Sequence, residues 1–253
     1  CIKEIDPDIH FIKLGTMGEY GTPNIEIPDG YIDISYKNRK DNFLFPKNPF
    51  SFYHLSKVHG SYNISFACKN WGLTSTELNQ GVVYGIDTPQ TSLDKRLKTS
   101  FHYDHIFGTV INRFSVMSMT DNPILIYGKG NQTRTFININ DTMQCLLIAV
   151  KNRPKKNKLY IFNQFTEKFS IKELAKIITH NAGEFNKKTS IKYISNPRVE
   201  KDKHFYRPQN QNFIKKGLSF KPLSKVIKKD ILIKLFNETD IINKKLLNPN
   251  IRW

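Results

Sequence analysis

The chain of 253 residues carries 39 Lys and Arg against 22 Asp and Glu, which gives a formal net charge of +17. This length allows one large domain or two small ones with a sizeable core. Three scattered cysteines are too few for a disulfide framework or a zinc site, so we interpret them as thiols in a reducing compartment. No apolar run approaches the roughly 18 residues that span a bilayer. We therefore expect a soluble protein without a membrane span.

The basic charge raises the question of nucleic-acid binding, because a basic surface attracts phosphate without regard to sequence. The lysines are mixed with Asn and Ile, as in "KNRPKKNK" and "IINKKLLNPN", instead of forming one basic and aromatic stripe. This pattern is typical of a general compositional bias with solvated basic faces. We expect no nucleic-acid ligand, and a basic nucleic-acid-binding protein is the alternative from another functional class.

The first elements indicate a strand, a helix and a second strand. In "IHFIKLGTMGEYGT", residues 10–15 predict an apolar strand that ends in a Gly-rich turn. A polar stretch to residue 47 predicts a loop with room for one hairpin, and a helix over about 50–70 then closes at Gly72. The apolar residues at near-helical spacing are Leu55, Val58, Tyr62, Phe66 and Trp71. "LTSTELNQGVVYG" predicts the next strand, and this order indicates a βαβ unit and a parallel sheet.

The remaining elements are more mixed. We predict, in order, a helix near "HIFGTVINRFSVMSM", strands at "PILIYG" and "TRTFINI", a helix at "NDTMQCLLIAVKN", a strand at "LYIFNQ", a helix at "SIKELAKIITHNAGEF", a strand at "TSIKYIS" and C-terminal helices around "KDILIKLF". The order predicts an α/β fold. Part of a parallel sheet over residues 1–100 precedes a smaller mixed α/β lobe over residues 101–253, which is interleaved with returning elements of the sheet.

A tyrosine and a lysine four residues apart, Tyr53 and Lys57 in "SFYHLSKVHG", share one helix face. A free tyrosine titrates at about 10, so a tyrosine base near neutrality needs nearby cations such as an ammonium and an oxidised nicotinamide. Thr16 stands where the first strand ends, and ligands bind at the strand ends of open parallel sheets. A second pair, Tyr36 and Lys40, lies in a charged loop, and we interpret it as accidental.

A second candidate site lies in "YGKGNQTRTFININDT", residues 127–142. Its glycines indicate a tight turn, and the planar guanidinium of Arg134 suits a diphosphate. Together with Asn112 and Arg113 in "VINRF", this pattern favours a nucleotide-sugar pocket, and the alternative is a hairpin with an exposed arginine. "HYDH" holds two histidines, but nothing nearby completes a metal site, so we assign no metal.

These motifs resemble a known family. Thr16, the pair Tyr53 and Lys57, and "YGKGNQTRTF" are similar to the extended short-chain dehydrogenases/reductases that act on nucleotide sugars, the NAD-dependent epimerase/dehydratase family. The resemblance is most specific to a member that joins sulfite to UDP-glucose. The segments that carry it, in the same order over nearly the whole chain, are "KLGTMGEYGTPNI", "FSFYHLSKVHGSYNI", "ELNQGVVYG", "FGTVINRF", "FNQFTEKFS" and "SNPRVE".

Two departures separate the chain from other members of this family. Met17 and Gly18 stand where the 4,6-dehydratases carry an acidic pair after the strand-end threonine. Asn79 and Gln80 stand where epimerases would show an arginine. Both departures argue against ordinary dehydratase or epimerase chemistry. Another NAD-dependent nucleotide-sugar epimerase or 4,6-dehydratase is the alternative within the family.

The resemblance implies the C-terminal part of a Rossmann-type sheet, an NAD cofactor, and UDP-glucose and sulfite as substrates. Tyr53 would remove the proton of the glucose 4-hydroxyl while a hydride leaves C4, with Lys57 holding the nicotinamide ribose and Thr16 bonding the same oxygen. Water would leave across C5 and C6, sulfite would add to C6, and the hydride would return to C4. Such an enzyme forms a carbon–sulfur bond, is grouped with the hydrolases acting on carbon–sulfur bonds, and makes the head-group donor of sulfolipid.

The resemblance also implies individual residue roles. For the acid and base of the elimination our own candidates are Glu19 and His54, because the first follows the strand-end threonine and the second adjoins Tyr53. The expected cofactor contacts are Tyr53, Lys57 and Val83, and the expected substrate contacts are Thr16, Gln80, Asn112, Arg113, Leu125, Ile126, Tyr127, Arg134 and Arg198.

The family binds NAD on a Gly-rich turn after its first strand, and no such turn occurs in this sequence. "GTMGEYG" carries the candidate threonine and does not open a helix. We therefore interpret the chain as a C-terminal fragment that by itself does not bind NAD tightly, and an inactive fragment is a further alternative. For the full-length protein the resemblance implies a homodimer, a possible sulfite-delivering partner, and the plastid stroma in a plastid-bearing eukaryote or the cytoplasm elsewhere.

Overall fold

The computed structural model describes residues 2–6, 8–104, 106–197 and 205–247. Up to residue 119 the elements are α1 (Ile2–Ile5), β1 (His10–Thr16), β2 (Tyr31–Tyr36), β3 (Arg39–Leu44), α2 (Phe52–Trp71), β4 (Thr74–Gln80), β5 (Val82–Tyr84) and α3 (Val110–Met119). The later elements are β6 (Ile124–Tyr127), β7 (Thr133–Asn138), α4 (Ile139–Lys151), β8 (Leu159–Gln164), β9 (Glu167–Ser170), α5 (Ile171–Gly183), β10 (Ile191–Ile194), α6 (Gln211–Lys215), α7 (Leu223–Ile227), a π-helical turn (Lys228–Leu232) and α8 (Ile233–Asn237). None of the helices in these described stretches is long and apolar enough to cross a membrane.

The described chain forms two compact units, each assembled from three separate stretches. Unit 1 contains the described residues up to 81, then 141–166 and 205–219. Unit 2 contains the described residues of 82–140, 167–197 and 220–247. The first boundary between the units therefore falls after residue 81, and stretches of the two units alternate along the sequence. The domain boundary expected near residue 100 stays a prediction.

The sheet of unit 1 is parallel, as the predicted βαβ unit requires. Its strand order is β1-β4-β8, and α2 connects the first two strands. The helix begins after Ser51, whose side chain accepts a hydrogen bond from the His54 amide, and ends before Gly72 in the left-handed conformation. Both ends agree with the predicted helix. The polar stretch before α2 contains the single hairpin β2-β3.

Unit 2 is a mixed α/β body. One of its sheets has the order β5-β7-β9, with β5 and β7 parallel and β7 and β9 antiparallel, and a second sheet pairs β6 with β10. Helices α3 and α5 contribute buried apolar side chains to one core, which also receives residues of the C-terminal helices. Residues at the centre of this core include Ile111, Phe114, Ile124, Ile126, Leu174, Ile178 and Ile231.

The strand predicted at "LTSTELNQGVVYG" is in fact two strands. The Gly81 amide donates to the Gln164 carbonyl at 2.8 Å, which completes the pairing of β4 with β8. The following residues, Val82–Tyr84, pair with β7 in the other unit. A single apolar run contains no signal for this change of sheet. Strand β9 was also missed, because the four residues "EKFS" are too short and polar for a clear pattern.

A half-buried carboxylate links the loop before β2 to distant parts of unit 1. Asp29 accepts from the Asn163 amide at 2.8 Å and from the Asn212 side chain at 2.9 Å, at the start of α6. The pKa of Asp29 is raised from 3.8 to about 6, because burial disfavours its charged form more than these donors favour it. Its carboxyl group therefore titrates in the mildly acidic range.

We predict that unit 1 loses stability as the pH rises through about 6. Because the pKa of Asp29 is higher in the folded than in the unfolded state, its contribution is complete below about 4 and is lost above the folded pKa of about 6. Between pH 5 and 8 the free energy of unfolding should fall by about 1 kcal/mol from this group alone. Urea unfolding of the wild type and of Asp29→Asn at both pH values measures the difference.

The matched control is Asp33→Asn, which removes an exposed carboxylate from β2 of the same unit. This variant should keep the pH dependence of the wild type. An Asp29→Asn protein with the same pH dependence as the wild type would contradict the assignment.

Candidate active site

Three polar side chains form one row at the carboxyl ends of the parallel strands in unit 1. In the register of the sheet Thr16 pairs with Gln80, and Gln80 pairs with Gln164. Thr16 and Gln80 are half-buried, whereas Gln164 is fully buried and its amide nitrogen donates to the Thr142 carbonyl at 3.3 Å. The structure thus brings two of the predicted residues together. It adds Gln164, which the sequence analysis missed because β8 reads as an ordinary buried strand.

Thr16 is both the last residue of β1 and the cap of a 3-10 turn, Met17–Tyr20. Its hydroxyl oxygen accepts from the Gly18 amide at 3.2 Å, and its own amide donates to Glu19 Oε1 at 3.4 Å. This reciprocal capping box satisfies two amides at the start of the turn. The position of the threonine is therefore set by backbone contacts on both sides.

Tyr53 and Lys57 lie one turn apart near the start of α2, as their spacing predicts. The Lys57 ammonium lies 5.7 Å from the centroid of the Tyr53 ring and donates to the Leu14 carbonyl of β1 at 3.4 Å. The Tyr53 side chain is 61% exposed, so its hydroxyl group is open to a ligand. The arrangement places a cation beside an accessible tyrosine, next to the strand that ends in Thr16.

His54 links α2 to the turn after Thr16. Its Nδ1 lies 3.0 Å from the Ser51 hydroxyl oxygen, and its ring centroid lies 5.2 Å from that of Tyr53. On the other side the ring lies against Gly18, where a Cβ atom would come within 2.3 Å of His54 Nε2. A Cβ atom at position 18 would therefore displace the imidazole from this position.

Beneath these residues, Glu19 is fully buried among charged side chains. Its carboxylate pairs with Lys47 and accepts from the Ser61 hydroxyl at 2.8 Å. Lys13 of β1 donates to Glu77 of β4 at 2.6 Å, next to the same serine. Of this cluster, only Glu19 was expected from the sequence. A sequence signal for Lys13 and Glu77 exists, because each is a charged residue inside a predicted strand.

The predicted nucleotide-binding residues of unit 2 cluster less closely. The guanidinium of buried Arg113 lies 5.4 Å from the centroid of the Tyr127 ring, which joins α3 to β6. Asn112 donates to the His102 carbonyl at 2.9 Å, and Arg134 donates to the Thr133 carbonyl at 3.0 Å. Arg113 and Tyr127 are thus a pair of predicted residues in direct contact.

The other predicted contacts of this unit have different environments. Val83 in β5 and Leu125 in β6 are half-buried. Ile126 is fully buried in the core of unit 2, so its side chain is not available to a ligand at the surface of this unit. Arg198 lies outside the described residues. Among the residues that the structure describes, no three or more His, Cys, Asp and Glu side chains come together as a metal site.

Comparison with known proteins identifies relatives of this chain. The family model described as "NAD dependent epimerase/dehydratase family" matches residues 1–163. The chain is 42% identical over 253 residues to "UDP-sulfoquinovose synthase, chloroplastic" of Spinacia oleracea, which covers 100% of this chain and 52% of the relative. It is 37% identical over 239 residues to the UDP-sulfoquinovose synthase of Sulfolobus acidocaldarius, covering 92% of this chain and 60% of the relative. The chain thus spans between half and two thirds of the length of these curated relatives.

Solved structures with lower sequence identity share the fold. A UDP-glucose 4-epimerase from Thermotoga maritima with UDP-glucose superposes with a TM-score of 0.66 at 19% identity, covering 94% of this chain and 67% of that one. A UDP-glucuronic acid 4-epimerase from Bacillus cereus with UDP-glucuronic acid and NAD gives a TM-score of 0.64 at 18% identity, covering 89% and 61%. These likenesses confirm the predicted α/β fold with a Rossmann-type sheet.

We predict that Gly15→Ala destabilises unit 1 by about 1–3 kcal/mol, the usual cost of overpacking a filled core. An added Cβ would lie 2.2 Å from Asn79 Oδ1 and 2.8 Å from Glu77 Oε1, and both of these side chains are fully buried. The control is Gly183→Ala at the exposed end of α5, where a Cβ meets nothing within 4 Å. Urea unfolding should show a loss for the first variant and none for the control, and equal midpoints would contradict the packing described here.

Proposed function

The chain belongs to the NAD dependent epimerase/dehydratase family, and we propose that it is the catalytic and substrate-binding part of a UDP-sulfoquinovose synthase. The observation that carries this proposal is the arrangement of Thr16, Tyr53 and Lys57 around the end of β1. It is supported by the identity to two curated synthases over nearly all of this chain.

The residues present fit an NAD molecule on the nicotinamide side. Lys57 is half-buried beside an exposed tyrosine, which suits an ammonium that also donates to ribose hydroxyls. Val83 would contribute an apolar contact. Bound NAD would supply one reversible hydride transfer at C4 of the sugar. In this proposal the phosphates of the cofactor are held by another part of the protein, since these residues offer no Gly-rich turn that opens a helix.

Tyr53 would act as the base that takes the proton of the glucose 4-hydroxyl, with its tyrosinate stabilised by the Lys57 ammonium. Thr16 would hold the same oxygen through its hydroxyl group. Once C4 is a ketone, the proton at C5 becomes acidic, so water can leave across C5 and C6. Sulfite then adds to C6 of the conjugated enone, and the net reaction converts UDP-glucose and bisulfite into UDP-sulfoquinovose and water.

The elimination needs a proton donor and acceptor besides Tyr53. His54 is half-buried, contacts the Tyr53 ring and lies against Gly18, so it is the group placed to exchange a proton near the sugar. Glu19, the other candidate, is enclosed by Lys47, Ser61 and the Thr16 amide. The proposal therefore gives the proton transfer to His54.

The proposed substrate contacts in unit 2 are polar and aromatic. Arg134 and Arg198 would neutralise the diphosphate, because a guanidinium binds phosphate oxygens with two parallel donors. Asn112 and Arg113 would meet the nucleotide, and the half-buried Leu125 and Tyr127 of β6 would flank the uracil. Gln80 would face the sugar from the end of β4.

Three further features extend the proposal to the full-length protein. It would be a homodimer, it would receive sulfite from a delivering partner, and in a plastid-bearing organism it would work in the plastid stroma. The last point is supported by the description of the spinach relative as chloroplastic. Size-exclusion chromatography with light scattering, and imaging of a fluorescent fusion, test the first and the third.

Tyr53→Phe should lower the rate of NAD reduction by UDP-glucose about 10²- to 10⁴-fold, because it removes the general base. Absorbance of the reduced nicotinamide in a single turnover of the full-length protein measures this rate. The control is Tyr36→Phe, which changes the tyrosine of the second Tyr–Lys pair, an exposed residue of β2. Equal rates in both variants would contradict the role of Tyr53.

The function itself is tested by incubating the full-length protein with UDP-glucose and sulfite. Mass spectrometry should find a sulfonated UDP-hexose, and omission of sulfite should leave the product absent. A UDP-galactose product or a released 4-keto-6-deoxy sugar would instead assign the protein to the epimerases or to the dehydratases. Salt-sensitive binding of generic nucleic acid without turnover would favour the non-enzymatic alternative.

A further inference from the structure

Four charged side chains are enclosed beneath the candidate active site. Lys13 and Lys47 face Glu19 and Glu77, and the side chains of Lys47, Glu19 and Glu77 are at most 1% exposed. The hydroxyl oxygen of Ser61 lies among them and contacts Lys13, Glu19 and Glu77. Two positive and two negative groups make this charge cluster formally neutral.

The charge cluster contacts the backbone of both catalytic elements. Glu19 Oε1 accepts from the Thr16 amide at 3.4 Å, on the strand-end turn. Lys13 Nζ donates to the carbonyl of Lys57 at 2.9 Å, in the first turns of α2. Ser61, one helical turn after Lys57, joins the two halves because it contacts Glu19 at 2.8 Å and Lys13 at 2.6 Å.

Such a cluster is an unusual way to hold two elements together. Buried ion pairs often stabilise a fold less than apolar side chains of similar volume would, because both charges lose their hydration. What they supply is directionality, since each hydrogen bond has a preferred distance and angle. A cluster that bonds the backbone of Thr16 and of Lys57 fixes the spacing of these two residues more narrowly than apolar contacts do.

We propose that Glu19, with Lys13 and Ser61, is a positioning residue that sets Thr16 against the Tyr53 and Lys57 helix, and that it does not serve as the acid or base of the elimination. The inference deepens the proposed function and rests on it for the identity of the reaction. An acid or base must reach the substrate, whereas Glu19 is fully buried. Its carboxylate is enclosed by Lys13, Lys47, Ser61 and the Thr16 amide.

The test separates the two steps of the reaction in the full-length protein. The first step is NAD reduction by UDP-glucose without sulfite, and the second is the formation of sulfonated sugar. Glu19→Gln should slow the first step about 10- to 100-fold, since small displacements of catalytic groups cost rates of this order. The sulfonated product should fall by the same factor, and the KM for UDP-glucose should stay unchanged.

Conservative rescue provides the second readout. Glu19→Gln retains an oxygen that can accept from the Thr16 amide, so it should keep more activity than Glu19→Ala. Glu26→Gln, a change at an exposed carboxylate of the same unit, is the matched control and should leave both steps unchanged. A Glu19→Gln protein with wild-type NAD reduction but no elimination would overturn the inference and establish Glu19 as the acid or base.

A milder variant covers the case in which Glu19→Gln does not fold. Ser61→Ala keeps all four charges and removes only the hydroxyl that joins the two halves. It should slow NAD reduction with the same unchanged KM, and wild-type kinetics in this variant would equally overturn the inference.

Failure of the proposed function has a different signature. If the wild type reduces its NAD with UDP-glucose but forms no sulfonated sugar, the assigned reaction is wrong. The rate of NAD reduction in the Glu19 variants then still tests the positioning role. If the wild type reduces no NAD with any UDP-sugar, crystal structures of the wild type and of Ser61→Ala decide. The inference expects the distance from Thr16 Oγ1 to Lys57 Nζ to change, and an unchanged distance would overturn it.

Discussion

Two lysines cross between β1 and α2 in opposite directions, and the geometry of unit 1 depends on this exchange. Lys13 of the strand donates to the Lys57 carbonyl of the helix, and Lys57 donates to the Leu14 carbonyl of the strand. Each ammonium thus uses the backbone of the other element as its acceptor. The helix bearing Tyr53 cannot slide along β1 without loss of both contacts, because carbonyl oxygens are fixed acceptors. Lys57 is also the predicted catalytic lysine, so the same side chain holds the helix against the strand and is proposed to act in the reaction.

A second row of polar side chains lies in the same sheet, one position before the strand-end residues Gln80 and Gln164. Asn79 donates to the Tyr20 hydroxyl at 2.7 Å, and that hydroxyl donates to Asn163 at 2.9 Å. All three side chains are fully buried. Burial, as the largest cause, and the nearby carboxylates raise the pKa of Tyr20 well above its usual range, although the hydrogen bond from Asn79 acts in the opposite direction. This tyrosine is a neutral structural bridge, in contrast to the exposed Tyr53.

The sequence predicted the parts of the molecule that depend on local pattern. The ends of α2 follow from Ser51 and Gly72, and the parallel sheet follows from the order of strand, helix and strand. The common face of Tyr53 and Lys57 follows from their spacing alone. The resemblance to the nucleotide-sugar family, confirmed by the family model, added Gln80 and Val83 as candidates.

What the sequence did not predict depends on distant partners. The division at Gly81 is set by the pairing of Val82 with β7, more than 50 residues later. The environment of Glu19 is set by Lys47 and Ser61, which no local pattern connects to it. The interpretation of Glu19 as an acid or base came from its proximity in sequence to Thr16. A carboxylate close in sequence to a catalytic residue can equally accept a hydrogen bond from the backbone and so hold that residue in place.

The assembly of unit 1 from three separate stretches has a consequence for its synthesis on the ribosome. The third strand, β8, pairs with β4 across about 80 residues, and Asn163 of β8 then bonds the Gln209 carbonyl at 2.9 Å. The parallel sheet therefore stays incomplete until β8 and the stretch around Gln209 have emerged. Non-local contacts of this kind slow folding and leave strand edges open meanwhile. The stretch that carries Thr16, Tyr53 and Lys57 is translated before β8 and must wait for this later partner.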